Sequence, residues 1–199
     1  MGRRMVSKND IVYIHVPKTG GKSIYIGCGL KRPFEINEKA LGKHSTAAHY
    51  VQSNNYKPNQ ILISSVRNPW ERIASLYNYL QAVGTCPRNM TFQQFLYNPP
   101  AGGHYVDVYD RNQLQVQTYA NDIDGNSLID YWIRLEHQEE DIQSINDKIG
   151  TQLTYQRHRS GWDGKGVTYK SMYTYETYEY IKTLCEWEID FFGYNWDFS

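Results

Sequence analysis

Two cations and one imidazole stand out in this sequence for the chemistry their neighbours permit: Lys18, Arg67 and His44. Lys18 opens the polar run "KTGGKS", Lys18 to Ser23, which interrupts an apolar stretch, "IVYIHVP", and gives way to a helix-compatible sequence. A strand, a glycine-rich turn and a helix start in that order make an anion cradle, because the first helical N–H groups lack partners and the helix dipole favours negative charge there. Lys18 and the backbone amides of Thr19, Gly20, Gly21, Lys22 and Ser23 can hold one phosphate. Arg67 follows a second apolar run, "QILISSV", and with the hydroxyl of Ser75 can hold another phosphate at a second helix start. A nucleotide with phosphates on two ribose positions fits the pair.

The first loop departs from the usual nucleotide loop. Gly21-Lys22-Ser23 supplies the end of the Gly-x-x-x-x-Gly-Lys-Ser pattern, but the leading glycine falls on Val16. Metal-assisted phosphoryl transfer wants an acid after a neighbouring strand, and this chain has Arg67 there. The exchange points to a second anion where a metal would otherwise be handled.

The elements that must position these residues alternate between strand and helix. Ile11 to His15 reads as a first strand and Gln60 to Val66 as a second, both continuous apolar runs of the buried parallel type. After Arg67, Asn68 suits an N-cap, Pro69 the first helical position and Glu71 the reciprocal place in a capping box. Ile73, Leu76, Tyr77 and Leu80 then give that helix one buried face. A third strand is expected in Ser127 to Glu136, followed by a helix through "EEDIQSINDKI". Near the end, Tyr178, Ile181, Leu184, Cys185 and Ile189 form a helical stripe that Gly193 would stop. Longer loops, Ala82 to Met90, Pro99 to Asp110 and Arg157 to Val167, are rich in Gly, Pro and Asn and are placed to carry specificity.

Composition bounds the class. A chain of 199 residues that is 40% hydrophobic can bury one core, so a single domain over 1–199 is expected. Its 21 basic and 21 acidic residues cancel, which excludes the global basic field that would make nucleic acid the default partner. Cys28, Cys86 and Cys185 are odd in number and widely spaced, and signal neither a disulfide framework nor a zinc site. The stretch "MGRRMVSKND" precedes only a short apolar run, too short for a secretory signal or a membrane span. A cytoplasmic protein without a membrane anchor is the expectation.

The motifs resemble those of a known family. "HVPKTGGKSI" is similar to the 5′-phosphosulfate loop, and "VRNPWERIASLY" to the 3′-phosphate motif, of sulfotransferases that use 3′-phosphoadenosine 5′-phosphosulfate (PAPS). The likeness is to the carbohydrate-type group, which includes heparan and chondroitin sulfotransferases and bacterial relatives. "LIDYWIRLEHQEEDI" and "YTYETYEYIKTLCEWEIDFFGY" resemble that group's Arg-x-Glu segment and its closing helix. The resemblance implies an α/β fold with a central parallel sheet flanked by helices, P-loop-like in its nucleotide site. It implies PAPS as sulfuryl donor, no metal, and an acceptor that is a carbohydrate or small molecule. A bacterial or viral source is expected from the lack of an anchor.

Residue by residue, the resemblance places Lys18 against the 5′-phosphosulfate, with Thr19, Gly20, Gly21, Lys22 and Ser23 as its cradle, and Arg67 and Ser75 on the 3′-phosphate. His44, in "LGKHSTAAHY", is similar to the family's general base, with His49 as the other candidate. A neutral imidazole can accept the acceptor's hydroxyl proton near pH 7. Ser160, Lys165 and Gly166 fall where the family closes a loop over the nucleotide. Lys22 is a departure, an extra charge where relatives carry a small residue. Arg134 and Glu136 read as an internal ion pair or loop brace, and His15 as a packing residue at the strand end. His104, His137 and His158 have no metal-ligand spacing. Two other readings fit the same residues: a P-loop-type small-molecule kinase, and a non-catalytic nucleotide- or glycan-binding module. Neither the acceptor nor the oligomeric state is encoded in a readable way.

Overall fold

A computed structural model describes residues 6–36, 45–100, 114–155 and 169–196. In chain order these form β1 (Ile11–Ile14), α1 (Gly21–Cys28), α2 (Pro33–Ile36), α3 (Ala47–Val51), β2 (Ile61–Val66), α4 (Pro69–Ala82), α5 (Phe92–Tyr97), α6 (Gln117–Ala120), β3 (Tyr131–Arg134), α7 (Gln138–Ile149), α8 (Tyr175–Leu184) and α9 (Glu186–Phe192). The fold is α/β, and its helices cover a three-stranded sheet in the order β1-β2-β3. Both pairings are parallel, with Tyr13 opposite Ile63 and Ile63 opposite Tyr131. All three strands therefore end at one edge, where ligands of open α/β sheets bind.

Burial on both sides explains why β1 and β2 read as unbroken apolar runs. On one face Ile11, Tyr13, Ile63 and Ile133 meet Ile24 and Cys28 of α1 and Ile142 and Ile145 of α7. On the other, Val12, Ile14 and Leu62 meet Ala47 and Tyr50 of α3 and Ala120 of α6. A third cluster joins Trp70, Ile73, Leu76 and Leu80 of α4 to Phe92, Phe95 and Leu96 of α5 and Ile181 of α8. Fully burying one such side chain contributes about 1.5–3 kcal/mol, so this cluster anchors α4 firmly beside the sheet.

Two elements differ from the sequence expectation. The third strand is regular only over Tyr131–Arg134, not from Ser127 to Glu136. Its first half folds back on α6, where Leu128 N–H bonds the Ala120 carbonyl at 2.8 Å. Its far end leaves the sheet because the Arg134 N–H bonds the Asp141 carboxylate at 2.7 Å and the chain turns through a 3₁₀ segment, Leu135–His137. The C-terminal stripe is two helices, broken at Cys185 (φ −108°, ψ 20°). Gly193 ends the second in the left-handed region, φ 70°, as expected.

Cys28, Cys86 and Cys185 are free and buried. Of the three long loops, most of Pro99 to Asp110 and all of Arg157 to Val167 lie outside the described residues. No helix among the described residues is long and apolar enough to cross a membrane.

Candidate functional site

The loop after β1 is held by its own backbone and by buried hydroxyls. Lys18 adopts φ 65° and Gly20 φ 72°, and Lys18 is the sole non-glycine residue with positive φ among those described. That conformation costs an ordinary side chain roughly 1–2 kcal/mol. Gly20 caps α1 without a side chain, so no side-chain oxygen competes for the first helical N–H groups. Gly21 is packed so tightly that a Cβ there would stand 2.5 Å from His15 Cδ2 and 2.6 Å from the Tyr13 hydroxyl. A Cβ on Gly20 would overlap Leu135 of the turn after β3. Turn geometry requires the glycine at 20, and close packing against His15 and Tyr13 the one at 21.

Thr19 points inward. Its hydroxyl donates to the Val16 carbonyl at 2.8 Å and lies 2.6 Å from Ser65 Oγ, which is also bonded to the Tyr13 hydroxyl. With one proton per hydroxyl, the chain runs from Tyr13 through Ser65 and Thr19 to Val16. The Thr19 side chain is thus a loop anchor, and only its amide is left for a ligand. Burial raises the Tyr13 pKa well above its ordinary value, which keeps the head of this chain protonated. Lys22 is exposed and Ser23 half-buried.

The second half-site starts where β2 ends. Arg67 pairs with Glu71 at 2.9 Å, its side chain 25% exposed. Glu71, Ser75 and Tyr79 recur at four-residue intervals and are all half-buried, so they form one stripe along α4, and the Arg67 side chain, from the link before the helix, reaches its first member, Glu71. The Lys18 ammonium lies 4.5 Å from the Tyr79 ring centroid, which sets the far end of the stripe beside the first loop. Ser75 is half-buried on α4 between Glu71 and Tyr79, and no described contact joins it to Arg67 or Lys18. The Lys18 pKa falls to about 8, through burial first and the Arg67 charge second. Two cations share one electrostatic environment.

The expected capping box at α4 does not form. Asn68 Oδ1 accepts from Trp70 N and Glu71 N at 3.2 and 3.4 Å, but Glu71 is drawn to Arg67. The Asn68 N–H instead reaches Glu136 Oε1 at 2.8 Å. Arg134 and Glu136 are both braces but not with each other among the described contacts. Arg134 makes a two-pronged pair with Asp141 at 2.6 and 3.0 Å.

His49, the second base candidate, is exposed on α3 and its N–H bonds Thr46 Oγ1 at 3.1 Å. His44, Ser160, Lys165 and Gly166 lie outside the described residues. Four participants escaped the sequence reading: Glu71, Tyr79, and the buried pair Arg72 and Glu188, 2.9 Å apart and 1% and 0% exposed. The four-residue spacing from Arg67 could have exposed Glu71 and Tyr79; no local signal joins Arg72 to Glu188. Arg72 also donates to the Leu114 carbonyl at 2.6 Å, tying α4 to α9 and to the segment before α6. Glu188 holds the Arg72 pKa above its ordinary value, so the guanidinium stays charged despite burial.

Among the described residues no group of three or more His, Cys, Asp or Glu side chains could hold a metal ion. What the arrangement offers is a pair of coupled cations and an uncapped helix start at the strand carboxyl ends. The family model described as "Sulfotransferase family" matches residues 3–195 of the chain. No curated protein and no solved structure matches it.

Proposed function

The chain belongs to the sulfotransferase family, and from that premise we propose that it moves a sulfuryl group from PAPS to an acceptor hydroxyl, as a carbohydrate-type member with a P-loop-like site. The observation that supports this reading is geometric: within a chain that matches the family over residues 3–195, the Lys18 ammonium lies 4.5 Å from the ring of Tyr79, on the helix that follows Arg67. Arg67 lowers the Lys18 pKa although Glu71 pairs with it, and a nucleotide with 5′ and 3′ phosphate groups would bring each half-buried cation an anion of its own. The residues present fit such a donor: an uncapped α1, glycines that let backbone approach closely, and Arg67 ahead of the α4 stripe with Ser75. The donor supplies an activated sulfuryl group on a phosphate leaving group.

Lys18 and the amides of Thr19 to Ser23 hold the 5′ end and neutralise the charge that grows on the departing phosphate. Arg67, steadied by Glu71, takes the 3′-phosphate with Ser75. His44 accepts the acceptor's proton. On this reading cations and helix dipole do the neutralising, and no metal is called for.

Calorimetric titration with adenosine 3′,5′-bisphosphate, AMP and ATP tests the reading. The wild type prefers the bisphosphate without Mg²⁺, Lys18→Ala weakens every ligand, and Arg67→Ala removes the preference over AMP. His44→Ala leaves bisphosphate binding intact and abolishes turnover in an acceptor screen. A preference for ATP with Mg²⁺ would instead support a kinase, and binding without turnover a non-catalytic module.

A further inference from the structure

We infer that Glu136 and Tyr194 form a latch that positions Arg67, and so sets how strongly the site prefers a ligand bearing a 3′-phosphate over one without it. The inference rests on the donor site proposed above. Arg67 and Asn68 form the short link between β2 and α4, outside both elements. Pro69 removes an N–H and keeps Asn68 out of helical geometry, at φ −39° and ψ 119°. The direction of the Arg67 side chain therefore depends on what fixes the 67–68 peptide.

That peptide is fixed by Glu136. The Asn68 N–H donates to Glu136 Oε1 at 2.8 Å, and the other carboxylate oxygen accepts from the Tyr194 hydroxyl at 3.1 Å. Asn68 Nδ2 adds a bond to the Asn195 carbonyl at 3.3 Å. Residues distant in sequence thus meet around Asn68: Glu136, from the turn after β3, on its backbone N–H, Asn195, from the segment after α9, on its side chain, and Tyr194 on the Glu136 carboxylate. Tyr194 is itself seated, in the cluster of Val16, Val66, Val116 and Tyr119. Val16 leads into the Lys18 loop and Val66 into Arg67, so Tyr194 packs against the cluster from which both half-sites start. Burial and the neighbouring Glu136 keep its hydroxyl protonated, as a donor must be. Neither residue is placed to touch the ligand, and both act through Arg67.

The test is the ratio of affinities for adenosine 3′,5′-bisphosphate and AMP, with thermal unfolding run on each variant. Glu136→Ala is expected to weaken bisphosphate binding about tenfold and AMP less than about twofold, and Tyr194→Phe to weaken the bisphosphate about threefold, since charge-assisted bonds contribute more than a single hydroxyl. Glu136→Gln keeps the acceptor for Asn68 and restores most of the ratio. In an Arg67→Ala background, Glu136→Ala has no further effect on the bisphosphate. Equal weakening of both ligands, additive loss in the Arg67→Ala background, or an unchanged ratio in Tyr194→Phe and Glu136→Ala would overturn the latch. A wild type with no preference between the ligands would overturn the donor reading and the latch with it, whereas a wild-type preference that survives in the variants overturns the latch alone.

Discussion

Raising the pH should dismantle the donor site at one identifiable residue. Burial first, and the Arg67 charge second, displace the Lys18 pKa to about 8 from an ordinary 10.5. An ammonium with that pKa is about nine-tenths protonated at pH 7 and about one-tenth at pH 9, so if the neutral amine contributes nothing, affinity for adenosine 3′,5′-bisphosphate drops about tenfold over that range. The phosphates are already dianionic there, with second pKa values near 6, so the ligand adds little of its own. The sign is fixed by the ligand: bound phosphate favours the charged amine, so binding is flat below about pH 8 and weakens above it. Calorimetry from pH 7 to 9.5 reads the profile. Lys18→Arg should bind with a flat profile, because a guanidinium does not titrate in this range. Arg67→Met should move the break to higher pH, because it removes the second cause of the depression. A flat wild-type profile, or a slope that survives in Lys18→Arg, refutes the assignment.

Gly21→Ala places a methyl group 2.5 Å from His15 Cδ2 and 2.6 Å from the Tyr13 hydroxyl, and ring and hydroxyl are both set by the strand beneath. The loop must lift, so bisphosphate binding is lost, at a stability cost of about 1–3 kcal/mol read by urea unfolding. At the other end of α4, Arg72→Met strands the fully buried Glu188 carboxylate and costs about 3–5 kcal/mol. Arg72→Met with Glu188→Leu recovers most of that loss, and a double variant no more stable than the single would show that the pair is not what the site requires.

What was legible in the sequence follows a physical rule. β1, β2 and the start of α4 were readable to within a residue because buried parallel strands need unbroken apolar runs and a helix needs a cap and an N1 proline. The loop glycines were readable because few residue types tolerate their geometry. The site's supports were not. Glu71 satisfies the capping-box pattern, yet Arg67 outcompetes the backbone for its carboxylate, and a pattern cannot register a rival partner. The bend at Cys185 has no Gly or Pro to mark it, and its effect is to turn Glu188 towards an arginine over a hundred residues earlier. Thr19 was placed correctly in the loop, but its side chain belongs to the interior because Ser65, on another strand, offers it a hydroxyl. Each failure concerns a partner brought in by the sheet rather than by the local chain.

The free protein bears three costs at one residue. Lys18 has a left-handed backbone, is partly stripped of water, and lies within the field of Arg67. Because its folded pKa is below its unfolded one, the ammonium opposes folding most at pH below about 8, and that penalty fades as pH rises towards 10.5. A core would not retain such a residue for stability when an apolar side chain could fill the same space. On the proposed donor reading all three costs become useful when an anion arrives: the turn aims backbone amides at it, burial lowers the dielectric that screens it, and Arg67, paired with Glu71 in the free protein, takes a second phosphate. Selectivity for a doubly phosphorylated nucleotide then needs no dedicated pocket for each charge. On that reading it follows from two cations that each take one phosphate, and from the proposed latch that keeps the second cation from turning away.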